Sequence, residues 1–480
     1  MKIATMVAGC LLALSSAGCG GDDDTSKHDE GDGCTASDEC AAGLTCVATS
    51  TAGQKCFGPM RLVGHVVGSD TGSTMGGGIA GARVIALDEQ LLPVSDVAIT
   101  DAEGSYTLVL PLVRNDDGSP THASTTLRAS ADDYQTFPGG VRQALPIDGA
   151  SATQQPDKSW TIQSALTEVF LIALPEAQQG RAHLAGRVDA GDASGGVLIV
   201  AEETTTAASF SDLSDGDGHF VLFNVPDGTY EVRGYKADLQ LTPQTQTLAG
   251  ADVDDLLLAE EQGSLTTLTG TLQIVNAPNF TATSVVLAVK STFNQVLGRG
   301  DIPAGLRAPR DGAPNVTGDW SIAGIPDGTY VVLAAFENDG EVRDPDTSIG
   351  GTETVEITVG PSDRGTTVDG GSFKITDALT TVGPGAEAME EVTTSTPVLT
   401  WGPDSGNVYY QIVVFDALGD VIWDTTQPHD GPSSSNQSIT YAGPPLEPDM
   451  IYQFRVISRD TKTNIPKSTT EDLRGVFYFQ

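Results

Sequence analysis

Two stretches of this chain align with each other without a gap, and they constrain its fold more than any other feature. Residues 215–230 read DGDGHFVLFNVPDGTY and residues 315–330 read NVTGDWSIAGIPDGTY. Gly218 meets Gly318, Phe220 meets Trp320, Val225 meets Ile325, and the Pro-Asp-Gly-Thr-Tyr runs ending at Tyr230 and Tyr330 coincide. Each copy reads as a strand opened by an aromatic, a Pro-Asp-Gly turn, and a second strand opened by Tyr. A weaker copy, DAEGSYTLVLP, runs from Asp101 to Pro111. Hairpins repeated along one chain predict tandem modules, and 55 Gly and 26 Pro in 480 residues supply turns at all-β density.

A further strand pair precedes each copy. Leu62–Val67 leads through a Gly-rich loop to Ala82–Leu87, His183–Val188 to Gly196–Ala201, and Leu268–Leu272 to Ser284–Val289. The order is a G-x-V strand, a loop, an apolar strand, a D-x-x-G-x-aromatic hairpin and then P-D-G-T-Y. It resembles the carboxypeptidase regulatory-like family, a transthyretin-like β-sandwich, over residues 60–178, 181–260 and 264–380. The first copy departs most, because a longer loop from Val113 to Ser124 replaces P-D-G-T-Y. The resemblance implies a structural or binding accessory module without peptidase activity, and the family's relatives include starch-binding-like sandwiches.

Residues 388–480 follow another pattern. Thr396–Trp401, Tyr409–Phe415, Val421–Trp423 and Leu446–Val456 read as strands, with Trp401 early and L-x-P-x-x-x-Y ending at Tyr452. This resembles a fibronectin type III domain, which implies that Tyr452 closes a corner by bonding to nearby backbone. Met450 stands where that family has a small polar residue. The expected fold class is therefore all-β: tandem β-sandwiches after a short Cys-rich segment, each folding alone and touching its neighbours little.

The first residues are Met1-Lys2, an apolar run from Ile3 to Leu14, and Ser15-Ser16-Ala17-Gly18-Cys19. One positive charge, a short apolar stretch and small residues before a cut site describe a secretory signal, here 1–18. Small residues before Cys resemble the bacterial lipobox, with Ser16 where Leu is usual. The resemblance implies a lipid on Cys19 and an outer-membrane destination in a diderm cell envelope. An ordinary signal peptide cut near the same place is the alternative. Residues 19–33, opening Gly20-Gly21-Asp22-Asp23-Asp24 after Cys19, read as a flexible acidic tether.

Cys10 lies in the signal, and Cys34, Cys40, Cys46 and Cys56 cluster in residues 34–57. An even cluster in an exported chain predicts two disulfides stapling a segment too small to hold itself by burial. Three pairings are open. Zinc is disfavoured, because C-x-x-C is absent and His28 is the only nearby His. The spacing resembles short Cys-rich knots that follow the lipid anchor in some proteobacterial lipoproteins.

Chemistry is sparse. A net charge of −39, from 64 acidic and 25 basic residues, excludes a nucleic-acid partner. GxSxG, HExxH and GxxxxGK are absent, and the GxGxxG from Gly76 to Gly81 runs into a strand and offers phosphate no helix N-terminus. The six His are scattered, with His122 near Asp116 and Asp117. Asp212, Asp215 and Asp217 form a weak calcium candidate, short of the D-x-D-x-D-G register. Trp160 and Trp423 have no assigned core place and are weak ligand candidates, whereas Phe220, Trp320 and Trp401 read as core. No cofactor is expected. These features point to a non-enzymatic, lipid-anchored envelope scaffold or adhesion protein. Its expected partners are the membrane through the lipid, and envelope proteins or polysaccharide. A carbohydrate- or peptide-binding lipoprotein is the alternative, and an enzyme of unknown class the remaining one.

Overall fold

In each of the three repeats the first strand sits inside a sheet, with the last strand running parallel beside it. Met60–Ser69 pairs antiparallel with Ser105–Leu110 and parallel with Glu168–Ile172. Ala182–Asp189 does the same with His219–Val225 and Val253–Ala259. Thr266–Ile274 does so with Asp319–Ile325 and Thr367–Asp377. The opposing sheet is also shared. Arg83–Leu87 lies between Ala98–Ile99 and Ser124–Ser130, Leu198–Glu203 between Ser209–Leu213 and Gly228–Tyr235, and Val285–Val289 between Arg307–Ala308 and Gly328–Ala334.

This computed structural model describes residues 27–51, 53–69, 76–206, 208–275, 283–295, 297–311, 314–334, 341–343 and 355–480. Among the described residues the elements are strands and six single 3₁₀ turns. The chain is thus an all-β string of sandwiches after a disulfide-rich N-terminal segment, as its sequence predicts. Among these residues no helix is long and apolar enough to cross a membrane.

The repeated motif has physical causes. In Ser105–Leu110 the buried positions alternate, with Tyr106, Leu108 and Leu110 inward, as one covered face demands. Phe220 and Trp320 take the equivalent place and are buried. The Tyr of P-D-G-T-Y locks its own turn: Tyr230 Oη donates to Pro226 O at 2.9 Å and Tyr330 Oη to Pro326 O at 2.8 Å. The Gly of G-x-V is required by the parallel neighbour. A Cβ on Gly64 would overlap Thr167 O, one on Gly186 Leu256 O, and one on Gly270 both Gly371 O and the Trp320 ring. In the second and third sandwiches the ladder shifts register at this residue.

The C-terminal sandwich sets Thr381–Gly383, Val398–Trp401 and Gln437–Thr440 against a larger sheet. That sheet is built on Val408–Asp416 and Ile451–Asp460. Trp401 is fully buried and meets the Tyr410 ring edge-on at 5.3 Å. Tyr452 Oη accepts from the backbone N–H of Glu447 at 2.7 Å, closing the corner that the L-x-P-x-x-x-Y pattern implies.

One expectation is overturned: contact between the sandwiches is extensive. Ile85 and Leu87 of the first, Leu198, Leu213 and Tyr235 of the second and Leu287 and Tyr330 of the third belong to one apolar core. A second shared core joins Val141 and Ile172 of the first sandwich, Leu297 of the third, and Val413 and Phe415 of the C-terminal one. The reason is that Arg83–Leu87 and Leu198–Glu203 carry unbroken apolar runs that cover their own sandwich on one face and a neighbour on the other, while Val285–Val289 is covered on its second face by Val331, Leu333 and Phe293 of its own.

Gly186→Val should cost about 2 kcal/mol, as overpacking against immovable backbone does, and lower the thermal midpoint. Gly263→Ala, where an added Cβ meets nothing within 4 Å, should leave it unchanged in the same calorimetric scan.

Candidate functional site

The junction of the first three sandwiches holds a buried ion pair. Arg128 projects from Ser124–Ser130 and Asp212 from Ser209–Leu213. Its Nε donates to Asp212 Oδ1 at 2.8 Å and a terminal nitrogen donates to Ser211 O at 3.1 Å. The Ser211 hydroxyl in turn donates to Asp301 Oδ2 of the third sandwich. Arg128 and Asp212 are 9% and 6% exposed. Burial pushes the Arg128 guanidinium down, but Asp212 and Asp301 outweigh it and hold the group above its ordinary value.

Similar joints recur at the other boundaries. Asn224, in a left-handed backbone conformation, donates to Ala131 O at 3.2 Å and Tyr134 O at 3.0 Å and accepts from Asp133 N–H at 2.7 Å. Arg364 reaches Asp327 at 2.7 Å and Glu261 at 2.5 Å, and its hydrogen bond holds the Glu261 carboxyl below the usual range. Arg455 donates to Leu297 O at 2.7 Å and pairs with Asp472 at 2.6 Å. A cleft of about 890 Å³ opens between the second and third sandwiches beside Arg364, Glu261 and Asp327. Sequence reasoning missed all of these, since each joins residues far apart in the chain. The visible signal was the unbroken apolar run in each central strand.

The N-terminal cysteines pair as Cys34–Cys46 and Cys40–Cys56, which resolves the three open connectivities. Cys46 and Cys56 face each other across the hairpin of Thr45–Ala48 and Gln54–Phe57. This knot docks on the loop that replaces P-D-G-T-Y in the first sandwich. Arg114 N–H donates to Ala48 O at 3.0 Å, Ser50 N–H to Arg114 O at 2.8 Å, and Lys55 Nζ to Asp116 O at 3.0 Å. Cys10, Cys19 and the start of the tether lie outside the described residues.

The calcium candidate does not assemble. Asp212 is spent on Arg128, and Asp215 accepts from the N–H groups of Asp217 and His219 at 3.1 and 2.8 Å, closing its hairpin. Among the described residues, the ligand atoms that converge closely enough for a metal are those of Cys34, Cys40 and Cys56, which are in disulfides. Trp160 is half-buried against the first core, and half-buried Trp423 meets the Tyr441 ring edge-on at 5.0 Å, so each is partly packed and partly open. His122 pairs with Asp148 at 2.8 Å, not with Asp116 or Asp117.

No protein-family profile matches the chain, and no curated protein matches it. Solved structures do. The Bacillus anthracis TIE protein is 12% identical over 86% of this chain and 73% of its own, with a TM-score of 0.16. The Streptococcal ancillary pilin is 11% identical over 66% and 98%, at 0.17. GBS52, the minor pilin of Streptococcus agalactiae, is 15% identical over 42% and 99%, also at 0.17. At such scores the functional reading rests on this chain's own residues.

Removing one partner of the junction pair leaves a buried charge alone, which costs about 3–5 kcal/mol. Arg128→Met and Asp212→Leu should each lower stability on that scale. The double variant should lose much less than both together, and a double-mutant cycle by denaturant titration measures the difference.

Proposed function

We propose that this chain is a non-enzymatic, lipid-anchored scaffold of the cell envelope. In this reading residues 1–18 are removed and Cys19 carries the lipid. Residues 19–33 are the tether and 34–57 the disulfide knot. Three carboxypeptidase regulatory-like sandwiches follow at 60–178, 181–260 and 264–380, and a fibronectin type III-like one at 388–480. Envelope proteins or polysaccharide are its partners. The observation that carries this is where the charged side chains go. Arg128, Asp212, Asp301 and Arg455 are used to lock sandwiches together, and Arg364 and Glu261 tie the third to the linker before it. Two disulfides in the first module after the tether suit an oxidising compartment, and the acidic surface suits solubility and repulsion of anionic polymers.

The test is the intact mass of the protein recovered from a membrane fraction, beside a Cys19→Ala variant. A chain beginning at residue 19 with added acyl mass, lost together with membrane association in the variant, is the expected result. An unmodified chain cut near the same place and found in the medium would sink the anchor. Reducing both disulfides should cost the knot about 2–5 kcal/mol and open residues 34–57 to protease, while the sandwiches stay resistant.

A further inference from the structure

All four sandwiches contribute to one cavity of about 460 Å³. Leu87, Leu213, Leu297 and Leu418, one from each, give it an apolar wall, and Arg128, Arg142, Arg299 and Asp301 give it a charged one. The volume and the mixed lining are those of a small-molecule site, and such sites favour boundaries between domains.

The charged wall is unbalanced. Arg128 is answered by Asp212 directly and by Asp301 through Ser211. Arg142 and Arg299 are not. Arg142, 8% exposed, bonds only neutral oxygens, Phe170 O and Gln135 Oε1, and lies 5.4 Å from the centre of the Phe137 ring. Arg299 bonds the backbone oxygens of Val141 and Asp472, while the Asp472 carboxylate is held by Arg455. The Nε of each has no hydrogen-bond partner, and among the described residues no carboxylate forms an ion pair with either. Because Arg299 holds the carbonyl of Val141, the residue before Arg142, the two cations are anchored at the same point of the wall. Burial pushes each guanidinium down to about 10. Taking unpaired charge out of water is expensive. A chain with 64 acidic and 25 basic residues had carboxylates to spare, yet none pairs with Arg142 or Arg299: Asp301 of the same wall is taken by Ser211, and Asp472, whose charge reaches Arg299, is paired with Arg455.

We propose that this junction cavity binds a small amphipathic carboxylate, its anionic head on Arg142 and Arg299 and its apolar body against the four leucines. A guanidinium that no carboxylate of the chain holds is matched by a ligand carboxylate, and the leucine wall favours a hydrocarbon tail over a mineral anion. This site is independent of the scaffold reading.

Calorimetric titration of the chain from residue 20 onward, which keeps every described residue, tests the site with sodium octanoate, 1-octanol and sodium acetate as probes. Octanoate should bind saturably at one site, at least about tenfold more tightly than octanol, which lacks the charge, or acetate, which lacks the tail. Arg142→Gln should weaken octanoate about tenfold and leave octanol unchanged. Octanol binding as well as octanoate, no saturable octanoate binding, or full octanoate affinity in a folded Arg142→Gln variant would each overturn the proposal. Should that variant fail to fold, the octanoate-to-octanol contrast in the unaltered chain decides.

Discussion

The contact between Arg128 and Asp212 is the constraint to which the arrangement of sandwiches answers. Leucine and valine faces supply the drive to associate, but a smooth apolar face can slide over another at little cost. A buried guanidinium cannot slide without stranding its own charge and the carboxylate it leaves. With Arg128 on the first sandwich, Asp212 and Ser211 on the second and Asp301 on the third, the three sheets meet in a single register. Asn224, Arg364 and Arg455 repeat the device with different chemistry at the other boundaries. Asn224 and Arg455 satisfy groups of a neighbouring sandwich, and Arg364 ties the third to Glu261 of the linker before it, so the boundary is defined by polar geometry and filled by apolar area.

The disulfide knot belongs to the same logic. Too small to bury a core, it is closed by Cys34–Cys46 and Cys40–Cys56. It then borrows the first sandwich through Arg114 and Asp116. The Val113 to Ser124 loop, the point at which the first repeat breaks from the other two, is therefore the docking surface for the segment before it.

Much of this was legible in the sequence because it rests on local chemistry. The aligned hairpins of residues 215–230 and 315–330 announced the repeated sandwiches, Phe220 and Trp320 their cores, and L-x-P-x-x-x-Y the corner at Tyr452. Cysteine count gave two bridges but not their partners, since pairing depends on the hairpin that sets Cys46 against Cys56. The joints were illegible for a deeper reason: nothing in the surroundings of Arg128 marks a carboxylate 84 residues away as its mate. Even so, LIVA at residues 198–201 and VVLAV at 285–289 lack the polar alternation of a half-exposed strand. That absence was the readable sign that their outer faces are covered too. Asp212, taken alone, looked like a calcium ligand because a carboxylate in a turn-rich stretch suits either role.

The parallel pairing of first and last strands in each repeat bears on the order in which such a chain can fold. Met60–Ser69, Ala182–Asp189 and Thr266–Ile274 each wait for a partner that lies at the far end of their own repeat. No repeat can close before its last strand is available, so an apolar strand stands uncovered throughout that interval. Long-range closure of this kind is slow and exposes sticky edges. The short-range turns closed by Tyr230 and Tyr330 need no such wait, and the net negative charge opposes association between chains meanwhile. Domains that fold as units from the N-terminus onward would give each later sandwich a finished apolar face to settle on.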